Sequence, residues 1–142
     1  MQHQSRLRLS LLLLRLGVFI VMIMWTLDKF VNPSHSAAVA EHFYMMPGLG
    51  SAALAVIGAV QLVIVLAFIA GFLKRFSYGL VLLMHAVSTF SSYRQYLEPW
   101  DHLLFFAAWP MLAACAALYL LRNADTLLTV DDVLARRKRK GA

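Results

Sequence analysis

The chain has 142 residues, 61% of them apolar and only 14% charged. A soluble domain carries about 45–50% apolar and about 25% charged residues, so the balance excludes an ordinary soluble domain and reads as one polytopic membrane unit. The net charge of +6 would suit nucleic acid, but the bases flank apolar runs or crowd a tail instead of alternating with aromatics, which excludes that partner.

Four segments reach the roughly 20 residues a bilayer crossing needs: about 9–30, 48–72, 76–96 and 102–121. The expected fold is all-α, a four-span antiparallel bundle over residues 1–121, with residues 122–142 as a basic tail. The first apolar run is too long for a leader and lacks a small-residue cleavage site, so no cleavable signal peptide is expected. Arg6, Arg8, Arg15, Lys74, Arg75, Arg122 and the run Arg136–Lys140 lie at the termini and the second connection; only Lys29 and Arg94 lie in the other two. That asymmetry predicts cytoplasmic N- and C-termini.

In the first segment, Arg15 sits one to two turns inside the cytoplasmic end and reads as an anchor whose stem snorkels to the interface. Trp25 suits the outer aromatic belt, and Asp28-Lys29-Phe30 close the segment. Asn32-Pro33-Ser34 predict the cap of a short helix lying on the outer interface between the first two spans, ended by Pro47-Gly48. In the second segment Ser51, Ala55 and Ala59 recur every four residues beside Gly58, a close-packing ridge. Gln61 is its one strongly polar residue.

The third segment turns polar half-way. At about 100° per residue, Tyr78, His85, Ser88, Thr89, Ser92 and Tyr96 share one face. Lipid offers such a stripe no partner, so it must find one in protein or ligand. Counting about 1.5 Å per residue puts His85 and Gln61 at similar depth, which makes a His85–Gln61 pair or a shared ligand reasonable. Arg94 points away from the stripe, with Glu98 one turn on. Asp101 is placed to cap the fourth segment, where Pro110 inside the span predicts a kink and a freed carbonyl.

Asp28, Glu41, Glu98, Asp101, His35, His42 and His102 all fall outward, an acid–histidine rim above His85. As metal ligands, His42, His85 and His102 are the weak candidates. Six methionines with His42 raise soft-metal binding, copper above all, although methionine also fills apolar helices. His85 can hydrogen-bond a quinone carbonyl, ligate haem iron or bridge within the protein; no second histidine shares its depth. Cys115, the single cysteine, lies in an apolar run and cannot form an internal disulfide. Gly-rich phosphate loops and HExxH patterns are absent, which argues against nucleotide and zinc-hydrolase chemistry. The tail predicts a helix from Thr129 with Asp131 and Asp132 at its positive end, then a polybasic stretch attracted to anionic lipid.

Several short motifs have a family look. Leu14-Arg15-Leu16-Gly17 opens the first span, Asp28-Lys29-Phe30 closes it, an Asn-Pro follows, and Gly58-Ala-Val-Gln61 precedes Gly71 before a basic turn. The chain resembles the DoxX-like small membrane proteins over most of residues 9–121. Gln61 stands where that family commonly has a glutamate, so a proton-linked role of that acid is not carried over. Arg122-Asn-Ala-Asp-Thr-Leu127 replaces the Gly-Pro-Gly and Ser-x-Asp that often end the fourth helix.

The resemblance implies a bacterial inner-membrane protein in a redox-associated setting, since relatives include a thiosulfate:quinone oxidoreductase subunit and accessory proteins of thiol or oxidant defence. The favoured expectation is an accessory subunit binding a membrane partner or its own copies. Its expected ligand is a lipid or quinone, near His85, Gln61, Ser88, Ser92, Tyr96, Arg94, Asp28 and Lys29. The alternatives are a quinone- or haem-linked oxidoreductase and a copper carrier.

Overall fold

The computed structural model describes residues 2–140. Among these residues every regular element is helical. The elements are α1 (Gln2–Val31), α2 (Pro33–Tyr44), α3 (Ser51–Ile69), α4 (Lys74–Ser91), α5 (Tyr93–Leu97), a 3-10 segment (Leu103–Ala107), α6 (Ala108–Leu120) and α7 (Val130–Lys140). Three stretches are long and apolar enough to cross a membrane: α1, α3 and Leu103–Leu120. Helix α4 matches the third expected segment but is more polar, because Lys74, Arg75, Ser77, His85, Ser88 and Thr89 interrupt its apolar run.

Apart from Arg75, which is exposed, those polar groups follow a rule. Lys74, Tyr78, Val81, His85 and Thr89 recur every three or four residues and are buried, while Phe76, Leu80, Leu83, Val87 and Phe90 occupy the exposed side. Helix α4 thus turns its polar atoms inward and its apolar atoms outward, the reverse of a soluble helix. The core it joins contains Leu11, Val18, Phe68, Tyr78, Val81, Cys115 and Leu118.

Helices α1 and α3 run in opposite directions. Gly58 approaches Lys29 and Phe30, and Gly71, just past α3, approaches Arg15. A Cβ on Gly58 would lie 2.8 Å from Phe30 Cζ, so this glycine permits the close contact. The expected ridge is corrected here. Ser51 and Ala59 are exposed, and the α3 face that packs inward is Leu54, Gly58, Val65 and Phe68.

The connections also depart from expectation. Helix α2 does follow Asn32-Pro33, but the Asn32 side chain makes no capping bond. Ser36 and His35 instead bind the Asp28 carboxylate, at 2.6 and 2.8 Å. The helix ends before Pro47-Gly48, where Met45 turns left-handed and Met46 N–H reaches back to Ala40 O. The third expected segment breaks at Ser92, and α5 continues it. Asp101 makes no side-chain cap. Pro110 falls in the first turn of α6, where a missing N–H costs least. The chain therefore changes from 3-10 to α-helix just before the proline instead of kinking in mid-helix.

Candidate functional site

The most heavily bonded part of the molecule is the end at which α1 begins and α7 departs. Arg15 is 1% exposed and Asp125 0%. Arg15 Nη1 donates to Asp125 Oδ2 and to Tyr78 Oη, each at 3.1 Å. Tyr78 Oη donates in turn to the same carboxylate oxygen at 2.7 Å. Arg15 Nη2 donates to Leu127 O at 2.6 Å. The anchor reading of Arg15 is therefore corrected: its guanidinium turns into the bundle instead of out to water. An arginine fork can serve several acceptors at once, and here it joins α1, α4 and the segment after α6.

The segment is clamped a second time. Lys74 Nζ donates to Asp125 O at 2.9 Å and to Asp132 Oδ2 at 2.7 Å. Asp131 accepts the backbone N–H groups of Leu73 and Lys74, at 2.9 and 3.0 Å. Those N–H groups open α4 and have no helical partner, so a carboxylate satisfies them and meets the positive end of the helix dipole. Val130 and Asp131 N–H groups reach Ala70 O and Gly71 O. Helix α7 starts at Val130 with both acids in its first turn, as the tail's pattern predicts. Their task, though, is to bind α4.

Burial alone would raise the Asp132 carboxyl. Hydrogen bonds from Lys74 and Thr129, with the charges of Lys74 and Arg136, outweigh it and hold the group below its ordinary 3.8. A folded-state value below the unfolded one stabilises above pH 3.8, and that contribution is lost as pH falls through the folded value. Acid titration of a probe on α7 should therefore show release only below pH 3.8, and Asp132→Asn should remove this step. Release beginning well above that pH would contradict it.

Half-way along α4 the expected stripe divides. Tyr78 serves the Arg15 cluster. His85 Nε2 contacts Ala108 O at 3.0 Å, and Thr89 Oγ1 donates to the backbone carbonyl of His85 at 2.8 Å. As a donor, His85 ties α4 to the start of α6. The expected His85–Gln61 bond is not formed. Gln61 lies on the inward face of α3, half-buried, and among the described residues it has no hydrogen-bond partner. Ser92 Oγ bonds back to Ser88 O at 3.1 Å.

At the opposite end, the Tyr96 ring meets Phe106 edge-on and lies tilted against Trp109, and among the described residues its buried hydroxyl has no partner. Gln95, beside the stripe, is buried with Nε2 3.4 Å from His42 Nε2. Arg94 is exposed and bonds Tyr93 Oη, not Glu98. Glu98 lies 3.9 Å from His102. Lys29 folds back onto Trp25 O, and Asp28 holds α2. His42, His85 and His102 thus have separate partners. Among the described residues no three His, Cys, Asp or Glu side chains gather into a metal-binding group.

Sequence reasoning missed Asp125. The signal was present: it is the acid nearest the end of the last apolar run, on the side where Arg15 needs a counter-charge. A family model described as DoxX matches residues 10–94. The chain belongs to the DoxX family. No curated protein and no solved structure matches it. The DoxX match includes Arg15, Lys74, Tyr78, Gln61 and His85 but ends before Asp125. The buried cluster therefore joins the matched helices to a segment outside the match. As a DoxX protein with strongly apolar exposed helices, the chain is a membrane protein.

Proposed function

We propose that this DoxX protein is a four-span accessory subunit of a redox-associated system in the bacterial inner membrane. Both termini are cytoplasmic, and it binds a membrane partner together with a lipid or quinone at the α3–α4 face. The inside-out pattern of α4 supports the fourth span, because Phe76, Leu80, Leu83, Val87 and Phe90 suit lipid while Tyr78, His85 and Thr89 are bonded within. The basic residues at the α1 start and in α7 support the orientation.

The observation that carries the binding role is Gln61. A carboxamide in mid-helix, turned inward and without a hydrogen bond, is costly in hydrocarbon until something pairs with it. It sits in α3, which packs against α4, and His85 is at comparable depth. A quinone carbonyl, a lipid ester or a partner's polar side chain would complete it. The tests are quinone and lipid content in an organic extract of the purified protein, and recovery of co-purifying membrane protein. Gln61→Leu should lower one of these roughly three- to ten-fold, the range of a polar contact inside a membrane, while thermal stability holds or rises. Unchanged quinone, lipid and partner in Gln61→Leu would overturn the reading.

A further inference from the structure

The last described helix, α7, is mounted by the bundle at a set height. Val130 N–H lies 2.9 Å from Ala70 O, the residue after α3 ends. Thus α7 begins at the level where one of the apolar helices stops. Its two acids are consumed by the mount, Asp131 on the α4 N-terminus and Asp132 on Lys74. What remains has one sign of charge. Arg136, Arg137, Lys138, Arg139 and Lys140 follow without an acid.

Val130, Val133 and Leu134 share one helical face and are 38%, 50% and 43% exposed. Arg137 and Lys138 continue that face by spacing, and Leu128 just before it is 81% exposed. An apolar stripe beside bases, fixed at the boundary of a membrane-embedded body, has the form of an interfacial helix.

We propose that α7 is an anionic-lipid docking helix: Val133 and Leu134 enter the head-group region while Arg137 and Lys138 on the same face bind lipid phosphates and the neighbouring bases add long-range attraction. This inference rests on the reading that places the bundle's basic end at one membrane face. It differs from attraction of a loose basic tail, which would be purely electrostatic and erased by salt. Here the mount holds the apolar residues against the surface, so part of the contact survives salt. An acidic protein is the competing occupant, and bilayer discs whose sole other protein is the scaffold, identical in both lipid mixtures, control for it.

The test uses the full chain in lipid nanodiscs, with Cys115→Ala and Leu134→Cys carrying a polarity-sensitive dye. The discs are made of phosphatidylcholine alone or mixed with phosphatidylglycerol. Phosphatidylglycerol should shift the dye emission to the blue and expose it to a lipid-borne quencher, and high salt should reduce but not abolish both. Arg137→Gln should lower the docked-to-free ratio about five-fold, the share of one base near an anionic surface. Asp131→Asn with Asp132→Asn should leave a lipid response that salt removes entirely. A dye equally wet in both lipids, or a response in the mounted protein that salt erases, would overturn the proposal. Failure here with both termini still accessible on one face would leave the membrane orientation intact.

Discussion

Asp125→Asn should lower the stability of the folded protein by about 3–5 kcal/mol, the cost of leaving one partner of a buried ion pair without its counter-charge. Arg15 is 1% exposed, and among the described residues its one carboxylate partner is Asp125. Asparagine keeps the shape but not the charge, so the guanidinium keeps its carbonyl contacts at Leu127 and Leu128 without a counter-ion. The loss should appear as a lower unfolding midpoint in detergent and as faster proteolysis after Leu120.

The same physics predicts a rescue. Taking two charges out of water costs several kcal/mol per ion, so an apolar pair of similar volume can match a buried ion pair. Arg15→Met with Asp125→Leu should recover most of what either single change loses. Tyr78→Phe, which removes one hydroxyl but leaves the ion pair, should cost only about 1–2 kcal/mol. If Asp125→Asn is as stable as the parent, the pair does not hold this end together.

Gly71→Ala should be nearly as damaging, by about 2–5 kcal/mol, for two reasons that add. Gly71 has φ +58, a conformation in which a Cβ costs roughly 1–2 kcal/mol. The added Cβ would also lie 2.5 Å from Thr129 Cγ2 and 2.6 Å from Thr129 Cβ, with Arg15 Nη1 at 2.9 Å. Thr129 cannot yield by a rotamer change alone, since its Cβ is fixed to the backbone, so the segment before α7 must lift. Overpacking of this kind costs about 1–3 kcal/mol. Lifting would break the Val130 and Asp131 bonds to Ala70 O and Gly71 O. Hydrogen exchange at Val130 and Asp131 should rise in Gly71→Ala, while α1 and α3 amides near Gly58 stay protected. Adding Thr129→Gly should restore part of the protection. A fully protected α7 in Gly71→Ala would show that the close approach does not constrain it.

These two residues mark where sequence reasoning stopped. Gly71 stands before a basic turn in the sequence, and its left-handed φ fits the turn. That its α-carbon also gives room to Thr129 depends on residues 58 positions apart in the chain. Arg15 was legible as an unusual charge in an apolar run, yet its direction was not. Snorkelling outward and pairing inward give the same sequence pattern, and only the position of Asp125 chooses between them. His85 shows the same limit. Its depth was legible from counting, but depth does not fix azimuth, and it turned to Ala108 O on α6 instead of Gln61 on α3. The small-residue ridge failed for that reason too: Ser51, Ala55 and Ala59 are correctly spaced, but the inward side of α3 is the one with Gly58.

The sequence by itself determined the helical class, the apolar lengths, the short helix after Asn32-Pro33, the polar stripe of α4 and the basic final helix. Each is a one-dimensional periodicity or composition, which the backbone geometry of a helix converts directly into structure. Only the tertiary structure decided which charges meet. It brought Arg15, Lys74, Tyr78, Asp125, Asp131 and Asp132 together from four parts of the chain. It also left Gln61 inward and, among the described residues, unpaired. Pairing of this kind depends on the rotation of each helix about its axis, which packing sets and composition does not.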